Sequence, residues 1–134
     1  MNIALIAHDG KKELMAQFCI AYCGTLSKHR LFSTDGTGRY VTESTGLEIT
    51  KFLAGVHGGE EQIAAKLVYD EIDMLLLFRD PNITFHTRPN EENLLRLCDV
   101  HNVPFATNIA TAEALIHALE NGDLEWRDIV NPKN

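Results

Sequence analysis

A three-layer α/β fold, with a five-stranded, mainly parallel sheet and helices on both faces, is predicted by three observations on this 134-residue sequence. Short apolar runs of strand length recur along the chain, as expected of strands buried on both faces. Segments with helical apolar spacing separate them. Polar or glycine-rich turns follow the runs, at the carboxyl ends where ligands bind in open α/β sheets. Alternation of strand and helix over the whole length is the pattern of one doubly covered sheet.

The elements follow in order. Residues 3–7 form a compact hydrophobic run and the first strand. From Lys11, Leu14, Met15, Phe18, Ala21 and Tyr22 recur with helical spacing. Residues 30–33 give a second strand, 37–44 a helix, and 48–53 a third strand. A helix over 60–69 places Ile63, Ala64, Leu67 and Val68 on one side. Residues 74–78 are the clearest strand, and 90–101 a helix with Leu94, Leu95, Leu97 and Cys98 turned inward. A fifth strand is expected at 103–107 and a last helix at 111–120, stopped by Asn121-Gly122. No linker, repeat or low-complexity stretch divides the chain, so residues 1–134 read as one domain. The tail from Asp123, with the single tryptophan Trp126, is expected to fold back or pack on a neighbour.

Composition narrows the function classes. With 45% apolar and 23% charged residues the chain is ordinary globular protein rather than a disordered one. Its formal charge of −7 argues against nucleic acid, which requires clustered Lys and Arg. A small anionic substrate stays compatible, because a few local cations can override the global balance. No apolar run approaches the roughly 20 residues that span a bilayer, and the opening segment lacks the charged region of a signal peptide. Cytoplasmic residence is therefore the expectation, with no membrane partner. Cys19, Cys23 and Cys98 do not complete a tetrahedral ligand set, so reduced buried thiols are expected and no metal.

The loop Ser33-Thr34-Asp35-Gly36-Thr37-Gly38 is the strongest ligand signal. Exposed N–H groups at a helix start favour an anion, and threonine hydroxyls add donors. The alternative is a Gly/Thr turn that merely caps a helix. Other strand ends supply His8-Asp9-Gly10-Lys11-Lys12, Ala54-Gly55-Val56-His57-Gly58-Gly59-Glu60, Arg79-Asp80-Pro81 and Thr107-Asn108. Acids, histidines, lysine and hydroxyls on one rim have the composition of an active site.

Taken together these segments resemble the methylglyoxal synthase family. The resemblance rests on residues 3–9 with Lys12, on Gly58-Gly59 followed by an acid and Gln62, and on Arg79-Asp80-Pro81. It extends through residues 94–102, Pro104 and 106–112, and so covers nearly the whole chain. It implies a methylglyoxal synthase-like fold with flavodoxin-like winding. The reaction it implies removes a proton from dihydroxyacetone phosphate and expels phosphate from the enediolate, without cofactor or metal. In this reading Lys12, Thr34, Gly36, Thr37 and Gly55 hold the phosphate, with His57 and Arg88 as further binding groups. Glu60 is the base, His8 or His86 stabilises the enediolate, and Asp9 and Asp80 orient the base or bind substrate hydroxyls. A homohexamer is the oligomer the resemblance implies.

Departures from the family pattern fall at the site. Thr34-Asp35-Gly36-Thr37-Gly38 stands where the family usually has Thr-Gly-Thr-Thr-Gly. Two charges 4 Å apart at an effective dielectric of about 20 repel by roughly 4 kcal/mol, unless Asp35 points outward. Ala54-Gly55-Val56 replaces Ser-Gly-Pro, and Glu60 replaces the aspartate base. Glutamate is chemically suited, since triosephosphate isomerase uses one on the same substrate. His86-Thr87-Arg88-Pro89-Asn90 replaces Pro-His-Asp-Pro-Asp, which puts Thr87 at the histidine position and Asn90 at the second aspartate. The alternative reading is accordingly a diverged paralogue, acting on another phosphorylated metabolite or serving as a non-catalytic regulatory domain.

Overall fold

The computed structural model describes residues 1–83 and 89–132. β1 (Asn2–Ala7), β2 (Arg30–Ser33), β3 (Ile49–Lys51), β4 (Met74–Phe78) and β5 (Phe105–Ala106) form one sheet in the order β3-β2-β1-β4-β5. Every pairing is parallel. Between them lie α1 (Lys12–Ala21), α2 (Cys23–Leu26), α3 (Asp35–Thr45), α4 (Gly59–Val68) and α5 (Pro89–Val100), followed after β5 by α6 (Ile109–Glu120) and α7 (Trp126–Val130).

Alternate residues of the central strands supply two cores. Ile3, Leu5, Met74 and Leu76 face Met15, Phe18, Val41 and Ile116, which places α1, α3 and α6 on one face. Ala4, Ile6, Leu75 and Leu77 face Ile63, Leu67, Leu94 and Leu97, which places α4 and α5 on the other. The three-layer class is the one expected. The winding differs in one respect: a flavodoxin-like sheet runs 2-1-3-4-5, whereas here β2 and β3 both lie on one side of β1. The chain builds outward from β1 twice, returns beneath the sheet through α4, and places β4 against β1's free edge.

Sheet edges account for the two shortened strands. β3 exposes Thr50 and Lys51 and ends where the Leu53 N–H turns to the Gln62 side chain, 2.8 Å away. β5 spans two residues because Pro104 has no N–H to donate; its carbonyl still accepts from the Leu75 N–H at 3.1 Å.

The tail folds back. Arg127 on α7 is 1% exposed; its Nε donates to Asp73 Oδ1 at 3.3 Å and its Nη1 to the Asn102 carbonyl. Asp73 also accepts from the Asn2 N–H at 2.8 Å. One guanidinium thus ties α7 to the amino ends of β1 and β4. Arg127→Ala would remove the cationic partner of a buried carboxylate, and we expect it to lower unfolding stability by about 3–5 kcal/mol. Urea denaturation measures this; an unmoved midpoint would show that α7 docks by other contacts.

Cys19 and Cys98 are buried free thiols, pushed up from 9.0 to about 12 chiefly by that burial; Cys23 is half-buried. The two groups are more acidic in the unfolded chain, so their contribution is complete below pH 9.0 and lost as pH rises through about 12. Iodoacetamide at pH 8 is expected to modify Cys23 well before either buried thiol, as peptide mapping would read.

Candidate active site

β1 and β4 are neighbours whose crossovers leave on opposite faces, so a crevice opens at their carboxyl ends. There a cavity of about 510 Å³ is walled by Leu14, Phe78 and Ile109 on its apolar side and by His8, Asp80 and Glu91 on its polar side. The remaining predicted segments stand on the same rim, around the starts of α3 and α4.

The threonine-glycine loop is the start of α3. Thr34 follows β2 in an extended conformation (φ −67°, ψ 159°) and is the helix N-cap, 5% exposed, without a side-chain cap bond. The Asp35 N–H donates to the Leu53 carbonyl at 3.3 Å. Helix geometry gives the Gly36 and Thr37 N–H groups no acceptor within α3, so they are available to an anion. Lys12, in the first turn of α1, reaches this point: a Cβ on Gly36 would lie 3.1 Å from Lys12 Cε and 3.4 Å from its Nζ. The ammonium pairs with the Asp9 carboxylate. Asp35 turns away, its Oδ1 3.1 Å from Arg39 Nε on the exposed side of the helix. The charge that would have repelled a phosphate is held outward by an ion pair one turn along.

Glu60 approaches from the start of α4. A 3-10 turn over Gly55–His57 precedes it, and Gly58 takes the left-handed conformation (φ 105°) that glycine adopts without strain. Gly59 packs so tightly that a Cβ there would overlap the Leu53 carbonyl oxygen. Glu60 is 4% exposed and lies over Gly55, where a Cβ would be 3.1 Å from Glu60 Oε1. A buried carboxylate therefore rests on a backbone with no side chain to displace it.

Between these parts stands His8, at the end of β1 and 4% exposed. The Asp80 N–H donates to its Nδ1 at 2.9 Å, and its Nε2 lies 2.7 Å from Glu91 Oε2. Nδ1 accepts, so the ring proton is on Nε2 and is given to the Glu91 carboxylate. Arg79 Nε is 4.0 Å from Glu91 Oε1. Asp80 in turn accepts from the Asn82 N–H at 2.9 Å through Oδ1, while its Oδ2 lies beside Gly10.

A family model described as an MGS-like domain matches residues 18–107. A methylglyoxal synthase of Caldicellulosiruptor saccharolyticus is 60% identical over 133 residues, 99% of this chain and 94% of that protein. One from Oceanobacillus iheyensis is 52% identical, over 99% of this chain and 95% of its own length. The chain belongs to the methylglyoxal synthase family. In three dimensions it is similar to the crystal structure of methylglyoxal synthase from Elizabethkingia anophelis, with a TM-score of 0.77 and 33% identity over 86% of this chain and 76% of that one. The activity class is that of a phosphate-eliminating lyase of the methylglyoxal synthase type.

Within this family member the structure brings Lys12, Asp9, Thr34, Gly36 and Thr37 together at α3, and Gly55 with Glu60 at α4. It changes the reading of three side chains. The Thr37 hydroxyl, expected on phosphate, is fully buried and accepts from the Ala7 N–H at 3.0 Å, so Thr37 ties α3 to β1 and has only its backbone N–H to offer. His8, expected at the enediolate, has both ring nitrogens engaged by Asp80 and Glu91. His57 is exposed on the 3-10 turn. His86 and Arg88 lie outside the described residues. Asn90 donates to Glu61 at 2.7 Å and Asn108 caps α6 by accepting from the Thr111 N–H at 3.1 Å, so both have structural partners. No group that could hold a metal is found among the described residues.

Glu91 is the site-wall residue that sequence reasoning missed. Followed by Glu92 in a helix's first turn, it looks like any acid that complements the helix dipole. Only the fold shows that one of the two is 3% exposed and faces His8.

Gly36→Ala tests the anion cradle. The new methyl pushes the Lys12 side chain without blocking the fold, so phosphate affinity should fall about tenfold, equivalent to ~1.4 kcal/mol. Calorimetric titration with inorganic phosphate reads this; unchanged affinity would place the anion elsewhere.

Proposed function

We propose that this chain converts dihydroxyacetone phosphate to methylglyoxal and inorganic phosphate. The observation that carries the reading is the convergence of the Lys12 ammonium and the α3 N-terminus at Gly36. The ammonium, steadied by Asp9, and the free N–H groups of the helix start can donate to one phosphate placed between them. Thr34, the Gly36 and Thr37 N–H groups, and the Gly55 turn complete the cradle. Asp9 keeps the ammonium aimed through its ion pair.

With phosphate so held, Glu60 takes a proton from the hydroxymethyl carbon and the C–H electron pair forms the enediolate. Its collapse breaks the C–O bond to phosphate, and the resulting enol takes up a proton to give methylglyoxal. Phosphate leaves as a dianion stabilised by the donors that bound it. Asp80 stands at the carboxyl end of the neighbouring strand β4, where it can accept from substrate hydroxyls. A ketone already acidifies its α-proton, so no cofactor enters the sequence. His86 and Arg88 depart from the family pattern and belong to this reading, as enediolate and phosphate groups, on sequence grounds alone.

We extend the proposal to a cytoplasmic, single-domain homo-oligomer, a hexamer by family expectation. A phosphorylated substrate is confined to the compartment that makes it, and no described helix is long and apolar enough to cross a membrane. Ile129 (82% exposed), Val130 (65%) and Trp126 (47%) leave an apolar face on α7 that a second copy would cover.

Incubation with dihydroxyacetone phosphate should release phosphate and methylglyoxal in equal amounts. Glu60→Gln should lower kcat by about 10²–10⁴-fold with little effect on KM, since general-base catalysis is lost and the cradle is intact. Absence of turnover by the wild type, alongside thermal stabilisation by a different phosphorylated metabolite, would overturn the assignment in favour of a diverged relative.

A further inference from the structure

We infer that Glu91 is a positioning residue for the reaction: it holds His8 in a single tautomer and, through His8, sets the Asp80 segment at the site. The inference rests on the lyase reading above and assigns a role to a residue outside that reading. Three observations support it. Glu91 and His8 are 3% and 4% exposed, so their 2.7 Å contact is shielded from water. The other ring nitrogen accepts the Asp80 N–H at 2.9 Å, which requires Nδ1 to be free of a proton. Glu91 is in the first turn of α5, where the helix dipole favours a carboxylate, and Arg79 Nε lies 4.0 Å away on its other oxygen.

The consequence is directional. Neutral imidazole can carry its proton on either nitrogen, and an acceptor carboxylate selects Nε2–H. Without Glu91 the Nδ1–H form becomes accessible, and it would set an N–H against the Asp80 N–H. Asp80 would then lose its anchor at the point where the chain leaves β4. Its carboxylate would move from its place beside Gly10. An apolar side chain at position 91 would pack against the same walls without the desolvation cost of a buried carboxylate. Retention of a charge there is accounted for by what it does to His8.

Two measurements test the inference. Long-range ¹H–¹⁵N spectra of the wild type should show His8 as the single Nε2–H tautomer at neutral pH. In Glu91→Leu the spectrum should become a mixture, and kcat on dihydroxyacetone phosphate should fall about 10–100-fold with KM changed less than about threefold, since displacements near 1 Å cost rates of that order. Glu91→Gln, whose amide oxygen can still accept, should restore the single tautomer and most of kcat. A wild-type His8 that is protonated on Nδ1 would overturn the inference whatever the variants do, even if Glu91→Leu fails to fold. So would a folded Glu91→Leu with wild-type kcat or an unchanged ring signature. Failure of the lyase reading is distinguishable: the wild type would then be inactive while the ring signature still reports on the Glu91–His8 bond.

Discussion

The backbone of Leu53 is the point on which the two halves of the site depend. Its carbonyl accepts from Asp35 at the start of α3, and its N–H donates to Gln62 on α4. Gly59 lies against the same carbonyl, closer than any side chain would allow. The end of an exposed edge strand thereby becomes a fixed reference for the anion cradle on one side and the buried acid on the other. Loop residues usually owe their positions to their own turn chemistry. Here the turn is set by a backbone approach that only glycine permits, and the spacing from Gly59 to Gln62 returns a side chain to Leu53 one helical turn later.

That constraint explains why much of the site was legible. Gly58, Gly59 and Gln62 carry the family resemblance, and the structure gives each a reason: a left-handed turn, a backbone contact with no room for a Cβ, and a returning hydrogen bond. Met74–Phe78 was legible for a different reason: buried on both faces, all five residues are apolar, and a run of that length is too short for a buried helix. The edge strands were less clear, since β3 and β5 answer to pairing geometry and to Pro104 more than to composition. Strand order was not legible, because local patterns do not state which edge of β1 receives β4. Arg127 and Glu91 were hidden for a shared reason. Each is a charged residue on a helix, and its burial depends on partners 54 and 83 residues away.

Charge balance at the site runs against that of the molecule. A formal charge of −7 would repel a phosphorylated ligand at long range, yet screening leaves little of that field beyond ~10 Å. Within that distance the arrangement is selective. Lys12 and the α3 N-terminus face the cradle, while Asp35, one residue from it, is turned outward by Arg39. An exposed pair of this kind contributes little to stability. Its effect is steric and directional: it decides on which side of the helix the carboxylate spends its time.

Glu60, proposed above as the base, stands where the family pattern has an aspartate. A glutamate at a helix start carries one methylene more than an aspartate, and in a crowded site that methylene would displace the carboxylate by about 1 Å, enough to cost ~10²-fold in rate. In this chain the extra length is directed back along the turn, so that Oε1 comes to rest over Gly55. With no Cβ at that position the longer arm lies against the backbone. Burial to 4% exposure then limits the conformers open to it. Glycine stands at this position in the family pattern as well, so the longer acid uses a bare backbone that the turn already provides, and a Cβ there, 3.1 Å from Oε1, would make the carboxylate give by a few tenths of an ångström.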